Sequence, residues 1–266
     1  MLPNGSYPSG FDFILSNNFQ RQVVIDTEKW DKEWMRYFSN KKDYSFYFYD
    51  MSTSNYALSV SREVIEQFDK SKMYSAKLFK NLPPCSVWAD GNQLVGKTVL
   101  EMGCGPGLFG RIASRFVKQF IGIDISLFAL SIARLTSPKI CIYLHLSDIE
   151  GIKNILKSVD TCVSRHFFIH HNYKDSLWIL QFLRDVTKDG GIICADFFSN
   201  QKSLDGDRRR RSIDPLHKEH ASALYEFSND DVNRIANDVG FEIIDINYEP
   251  EFERRFATFR VPVKSS

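Results

Sequence analysis

The chain lacks an excess of charge of either sign, because its 34 Lys and Arg residues are balanced by 33 Asp and Glu residues. A near-neutral chain has no overall field that attracts a polyanion or an anionic membrane surface. Long apolar runs are also missing, and a membrane-spanning helix would need about 18 such residues. Met1 to Pro8 lack the basic and apolar regions of a signal peptide. These absences predict a cytoplasmic protein with no membrane contact, and they weigh against a nucleic-acid partner without excluding one.

Cysteine pairs with metal-site spacing are absent as well. The chain has five cysteines, an odd number, and no two of them form a Cys-x-x-Cys pair. Most lie inside apolar runs, which is typical of buried thiols. The sequence therefore predicts neither a disulfide framework nor a structural zinc site, and no metal-binding residue is proposed.

Changes in composition divide the chain into three predicted parts. Residues 1–25 are rich in Pro, Gly, Asn and Ser, which predicts an irregular leader. Residues 26–96 are rich in aromatics, and near-helical apolar spacing between Ser61 and Lys80 predicts a helical lid. These aromatics either pack the lid onto the main domain or line a substrate site. Residues 97–266 form the predicted main domain, with an insertion near 200–226.

Short apolar strands alternate with helical segments after Gly96, and the last two strands are joined by a short loop around Pro250. That loop is too short for a parallel crossover, so these two strands are predicted to be antiparallel. The alternation predicts an α/β fold with a doubly wound, mostly parallel, Rossmann-like sheet of seven strands whose last strand is antiparallel. The predicted strands are Thr98 to Met102, Phe120 to Ile123, Ile140 to Leu144, Thr161 to Ile169, Ile192 to Phe197, Phe241 to Tyr248 and Arg255 to Val263.

A glycine-rich turn joins the first predicted strand to a helix. Gly103 and Gly105 let the backbone turn tightly and approach a ligand, and Gly107 opens a helix whose first N–H groups are free. The turn lacks the Gly-Lys-Ser/Thr ending of a phosphate loop, which excludes that class of nucleotide site. Asp124 ends the second strand and can accept hydrogen bonds from two ribose hydroxyls, although a dehydrogenase would place an acidic residue similarly.

With the acidic residue that precedes it, the turn has the form Glu101-x-Gly103-x-Gly105-x-Gly107. This pattern resembles the first motif of the class I S-adenosylmethionine-dependent methyltransferases. The resemblance covers about residues 97–264. It implies that the turn holds the methionine part of S-adenosylmethionine and that the carboxylate of Glu101 supports the site.

The resemblance also implies an adenine site beyond the third strand. Asp148 is similar to the family's acceptor of the adenine amino group, and Ile125 and Ile149 would lie against the two faces of the ring. The alternatives for Asp148 are a loop cap and a solvated charge. Arg165, where the fourth strand reaches the site, completes the predicted cofactor-binding set.

Histidines after the fourth strand are the predicted catalytic groups. In the family a residue at this place often faces the methyl group, and a histidine there can take a proton from a hydroxyl acceptor. His170 and His171 are the two candidates. The alternative is a polar strand end whose groups are satisfied by the backbone. Asp196, at the end of the fifth strand, is a further candidate that either orients a substrate or caps a loop.

The predicted reaction is in-line attack by an oxygen or nitrogen atom of a small molecule on the cofactor's methyl group. Methylation of tRNA or protein is a second hypothesis, in which the cluster Arg208 to Arg211 and the aromatic N-terminal segment contact the substrate. A catalytically silent S-adenosylmethionine-binding module is a third. A dehydrogenase is disfavoured by the form of the glycine motif and by Asp148. The oligomeric state is left open.

Overall fold

A computed structural model describes residues 9–39, 91–114, 116–199, 225–249 and 254–263. The strands are β1 Thr98–Met102, β2 Gln119–Asp124, β3 Cys141–His145, β4 Val159–Ser164, β5 Thr187–Phe198, β6 Glu242–Glu249 and β7 Arg254–Arg260. The helices are α1 Gly10–Leu15, α2 Asn17–Ser39, α3 Gly91–Leu94, α4 Leu108–Ala113, α5 Leu127–Thr136, α6 Ile149–Lys153, α7 Tyr173–Val186 and α8 Asn229–Val239, with a 3₁₀ turn at Phe168–His170.

The seven strands form one sheet in the order β3-β2-β1-β4-β5-β7-β6. Strands β1 to β5 pair in parallel, and β7 is antiparallel to both of its neighbours. The predicted fold class is therefore confirmed. The strand order reverses at β1, where the chain has gone first to β2 and later to β4. Ligands of such sheets bind beside this reversal, outside the carboxyl ends of the strands.

Local signals fix several elements where the sequence predicts them. All five residues of β1 are buried, as a central parallel strand with both faces covered requires. Helix α8 begins with a capping box between Ser228 and Asp231 and ends at Gly240, whose φ of 77° is left-handed. Ser126 caps α5 by accepting from the Ala129 N–H. These caps confirm the predicted starts of both helices.

The N-terminal region differs from the prediction. Residues 10–15 and 17–39 are helical, so the irregular leader predicted for residues 1–25 is wrong from residue 10 onward. Gly10 acts as a packing residue and not as a helix breaker, because a Cβ there would collide with the backbone of Phe182 in α7. Phe13 then stacks on Trp178 of α7, with ring centroids 5.0 Å apart. Tertiary packing thus stabilises a helix that its composition disfavours.

Several boundaries also differ. β4 ends at Ser164, short of the predicted Ile169, because His166 has a left-handed φ of 52° and a 3₁₀ turn follows. β5 begins at Thr187 instead of the predicted Ile192, and its pairing with β4 is irregular between these two residues. The helix predicted for 61–80 and the arginine cluster at 208–211 lie outside the described residues. Within the described ranges, no helix has the length and apolar content needed to cross a bilayer.

Candidate functional site

A cavity of about 1090 Å³ lies at the carboxyl edge of the sheet, beside the reversal of strand order. Small-molecule sites in proteins are usually about 300–1,000 Å³, so this cavity is large for one ligand. Its floor consists of the glycine turn, the end of β2 and the segment after β4. Residues of α1 and α2 form its roof, and α7 forms a side wall.

The glycine turn is held against the neighbouring strand. The N–H groups of Gly103 and Cys104 both donate to the carbonyl of Ile123, at 2.8 and 3.1 Å. Gly103, Gly105 and Gly107 have φ values of 72°, 49° and 77°. Residues with a Cβ rarely adopt this left-handed region. All three predicted glycines are thus needed for the shape of the turn.

Asp124 connects the glycine turn to the start of α5. Its Oδ2 accepts from the Gly105 N–H and its Oδ1 from the Ser126 N–H, both at 2.8 Å. Burial raises the pKa of this carboxyl, and the backbone hydrogen bonds oppose that shift. A carboxylate oxygen can accept more than one hydrogen bond, so each oxygen retains acceptor capacity for a ligand hydroxyl.

Glu101 and Arg165 form a buried ion pair below the turn. Arg165 Nε and Nη2 lie 2.8 and 2.7 Å from Glu101 Oε1, and the two side chains are 8% and 1% exposed. Burial raises the pKa of Glu101 to about 7, although Arg165 acts in the opposite direction. Glu101 Oε2 is buried and has no hydrogen-bond partner among the described residues. A buried acceptor left in this way is available to a donor on a ligand.

His170 and His171 both line the cavity, as the predicted catalytic role requires. The rings of His170 and of Trp30 on α2 form a T-shaped pair, with centroids 5.2 Å apart. The ring of His171 lies 4.2 Å from that of Phe167, and its Nε2 is buried without a hydrogen-bond partner in the described chain. Burial, followed by the charge of His170, lowers the pKa of His171 to about 3. His171 is therefore neutral at physiological pH.

His166 also lines the cavity and was not among the predicted catalytic or binding residues. The backbone N–H of His166 donates to Asp196 Oδ1 at 2.8 Å. The Nδ1 atom of its ring lies 3.1 Å from Arg254 Nη2. Because arginine can only donate, Nδ1 is an acceptor and the ring proton lies on Nε2. Burial lowers the pKa of His166 to about 3 and raises that of Asp196 to about 6. This network depends on a left-handed φ and on a residue from distant β7, and neither has a local sequence signal.

Helix α2 is fastened to the main domain by polar contacts. Asp31 Oδ1 accepts from the Ser126 hydroxyl at 2.6 Å and from the Phe128 N–H at 2.9 Å, so it caps α5 from another helix. Trp30 and Trp34 of α2 line the cavity. The sequence left open whether these aromatics pack the helix onto the main domain or line a substrate site. In α2 the face that carries them both contacts the main domain and lines the cavity.

Comparison with known proteins identifies the domain. Residues 99–191 match the family model described as a methyltransferase domain. An S-adenosylmethionine-dependent methyltransferase from Methanosarcina mazei aligns with a TM-score of 0.52 at 19% identity, covering 65% of this chain and 96% of that one. Magnesium protoporphyrin IX methyltransferase from Synechocystis, with bound SAH, aligns with a TM-score of 0.50 at 16% identity, covering 86% and 99%. These two structures share the fold.

Residues 99–191 form a methyltransferase domain.

Curated methyltransferases match only part of the chain. A ribosomal protein L11 methyltransferase from Haemophilus ducreyi is 29% identical over 120 residues, which are 42% of this chain and 38% of that protein. Another from Vibrio parahaemolyticus is 26% identical over 153 residues, 52% and 49% of the two chains. The chain thus spans less than half the length of these curated relatives.

In the methyltransferase domain, the structure brings most of the predicted site residues together. Asp124, Ile125, Arg165 and the turn glycines Gly103 and Gly105 line the cavity with His170 and His171, and Glu101 lies directly beneath.

Asp148 and Ile149, which were also predicted to bind the cofactor, are not among the residues that line the cavity. Asp148 is exposed, and its Oδ1 accepts from the Gly151 N–H as the cap of α6, which is the alternative that the sequence left open. Leu146 takes a place in the cavity wall near Ile125. The adenine contact of Asp148 stays a prediction.

Proposed function

We propose that this chain transfers the methyl group of S-adenosylmethionine to an oxygen or nitrogen atom of a small molecule. The observation that carries the proposal is the cavity itself, which extends from the glycine turn to α7 under the roof of α2. A volume of about 1090 Å³ is enough for a cofactor and a small acceptor side by side. A covering helix also excludes water from the reacting atoms.

The residues at the turn end of the cavity fit the cofactor. The backbone of Gly103 and Gly105 gives close access without side chains, and Asp124 has acceptor capacity for ribose hydroxyls. Ile125 offers an apolar surface to the adenine ring, and Glu101 Oε2 can accept from an ammonium or hydroxyl donor. S-adenosylmethionine supplies a methyl group activated by its positive sulfur. The chain supplies alignment, desolvation and a place for the acceptor's proton.

His171 is the group proposed to take that proton. Its Nε2 is buried, lacks a partner and belongs to a residue in the cavity wall. A pKa near 3 keeps the ring neutral before the reaction, so a lone pair is available. Protonation of His171 adds one positive charge to the site in the same step in which the sulfonium charge is lost. The net charge of the cavity therefore stays constant, which lowers the electrostatic cost of forming a buried imidazolium.

A protein acceptor is the second candidate. It is favoured by the curated relatives, which are ribosomal protein L11 methyltransferases. A protein side chain would have to pass the roof formed by α2, whereas a small molecule can be enclosed beneath it. Transfer to tRNA has no comparable observation among the described residues, since the arginines that would bind it lie outside them.

The cofactor assignment is tested by calorimetric titration of the purified chain with S-adenosylhomocysteine. We expect micromolar affinity, and we expect Asp124→Ala to weaken it by at least about tenfold because a ribose acceptor is lost. Asp148→Ala is the informative comparison, since Asp148 caps α6 and does not line the cavity. No binding to the unaltered chain would refute the proposal.

Turnover distinguishes the remaining alternatives. Radiolabelled methyl transfer is measured with a panel of small hydroxyl and amine compounds and, separately, with ribosomal protein L11. Label in the small-molecule fraction is the expected result, and label confined to the protein would favour the second candidate. Cofactor binding without transfer to either would identify a catalytically silent module.

A further inference from the structure

Two aspartates on different helices line the part of the cavity away from the glycine turn. Asp26 lies on α2 and Asp175 lies on α7. The Asp26 carboxylate accepts from Gln22 Nε2 at 3.1 Å. Neither aspartate forms an ion pair with any residue in the described part of the chain. The cavity therefore contains two carboxylates that no ion pair with a described residue neutralises.

Each aspartate has a tryptophan one helical turn away. Trp30 follows Asp26 by four residues on α2, and Trp178 follows Asp175 by three residues on α7, so each pair shares a helix face. Both tryptophans line the same cavity. Two helices thus present the same combination of one carboxylate and one indole to a shared space.

Both carboxylates line the same cavity. Burial raises the pKa of both, and the charge of Asp26 raises that of Asp175 further. Lys29 and Lys174 line the cavity beside them and lower these pKa values, but neither lysine is within ion-pair distance and Lys174 is exposed. A cation placed between the two carboxylates would remove their repulsion and their uncompensated burial.

A second observation points to a ligand in the same space. His171, in the segment that leads into α7, lines the cavity with a buried Nε2 that has no partner. Buried polar atoms in native proteins are nearly always hydrogen-bonded, so an orphan in a cavity wall indicates a missing ligand group. This indication is independent of the aspartates.

We infer that the space between Asp26 and Trp30 of α2 and Asp175 and Trp178 of α7, here called the acceptor compartment, binds the ammonium group of an organic amine. The carboxylates provide the opposite charge, and the indole faces provide cation–π contacts. The inference rests on the proposed function and names the substrate class of that site. The acceptor is a small molecule with a cationic amine and an apolar body.

The test uses the full chain saturated with S-adenosylhomocysteine and three probes of similar shape. Phenethylamine is the cationic probe, 2-phenylethanol is the neutral one and hydrocinnamate is the anionic one, with binding followed by calorimetry. We expect phenethylamine to bind at least about tenfold more tightly than either of the others, because only it gains both the charge and the cation–π terms.

Isosteric variants then assign the binding to the two carboxylates. Asp26→Asn and Asp175→Asn should each weaken phenethylamine about tenfold while leaving 2-phenylethanol unchanged, because only the ammonium loses a charged partner. Asp12→Asn is the matched control, since Asp12 is an exposed residue of α1 outside the cavity wall. It should change neither affinity.

Each outcome has a separate meaning. Equal binding of the three probes, or an unchanged phenethylamine affinity in both asparagine variants, would overturn the acceptor compartment and leave the proposed function intact. Loss of S-adenosylhomocysteine affinity in these variants would also overturn it, by assigning the carboxylates to the cofactor. If the unaltered chain does not bind S-adenosylhomocysteine, the proposed function fails. Titration of the cofactor-free chain with phenethylamine then still decides the inference.

Discussion

Thr27 of helix α2 and His145 at the end of β3 are joined by a buried hydrogen bond of 3.0 Å between Oγ1 and Nε2. The Thr27 hydroxyl donates to the Val23 carbonyl at 2.6 Å, so it accepts from the histidine and the ring proton lies on Nε2. The same Nε2 lies 2.8 Å from the carbonyl of Ile125, a residue of the cavity floor. One imidazole thus connects the roof of the cavity to its floor.

Thr27→Val should loosen the roof without disturbing the sheet. Valine has nearly the same shape but cannot accept the hydrogen bond, so we expect a loss of about 1 kcal/mol in the local stability of α2. Hydrogen exchange followed by mass spectrometry should show faster exchange across residues 17–39. Ser131→Ala is the control, because the Ser131 hydroxyl donates to the Leu127 carbonyl within α5. Unchanged protection of α2 would show that the bond does not hold the helix.

The parallel sheet could be predicted because its signals are local. Each central strand is a short apolar run, and caps such as Ser126 and Ser228 depend on residues three or four positions apart. Helix α1 could not be predicted, because Gly10 disfavours a helix by propensity and its role depends on the α7 backbone. The sequence therefore predicted the elements whose stabilising contacts are between residues a few positions apart. It did not predict the helix whose stabilising contact is with a distant part of the chain.

Gly105 should be intolerant of a side chain for two separable reasons. Its φ is left-handed at 49°, and an ideal Cβ would lie 2.8 Å from Trp34 Cζ2. We expect Gly105→Ala to weaken S-adenosylhomocysteine binding, with a backbone cost of about 1–2 kcal/mol and an additional steric cost. Adding Trp34→Ala should recover only the steric part, as measured by calorimetry of both variants. A complete recovery in the double variant would mean that the backbone conformation is unimportant.

The candidate site shows the same division between local and distant causes. The glycine turn, Asp124 and the histidines after β4 all follow strand ends, which a sequence can indicate. The left-handed φ of His166 and its contact with Arg254 of β7 depend on the assembled sheet. Asp148 has a local explanation as a helix cap, and that explanation competes with the role implied by resemblance.

Glu101→Gln should destabilise the fold, because it removes the buried negative charge that Arg165 Nε and Nη2 contact. Breaking one partner of a buried ion pair costs about 3–5 kcal/mol, whereas replacing both with apolar groups is often neutral. The double variant Glu101→Gln with Arg165→Met should therefore regain most of the free energy of unfolding, measured by urea denaturation. A loss below about 1 kcal/mol in the single variant would instead show that Glu101 is already protonated, consistent with its pKa of about 7.

His171 should make the chain sensitive to acid. Its pKa is about 3 in the folded chain against an ordinary value of 6.5, because burial disfavours the imidazolium. Between these two pH values the unfolded chain binds a proton that the folded chain does not. The free energy of unfolding therefore falls as the pH falls, by up to about 1.4 kcal/mol per pH unit for this one group. The stability that a neutral His171 contributes is fully present only above pH 6.5.

His171→Phe removes this titration while keeping an aromatic ring against Phe167. Urea denaturation of both proteins at about pH 7.5 and pH 5 should show that the unaltered chain loses up to about 2 kcal/mol more than the variant. His166, which has a similar depressed pKa, and the buried carboxyls are present in both proteins, so their contributions cancel in the comparison. Parallel losses in the two proteins would mean that burial does not lower the pKa of His171 in the folded chain below its ordinary value of 6.5.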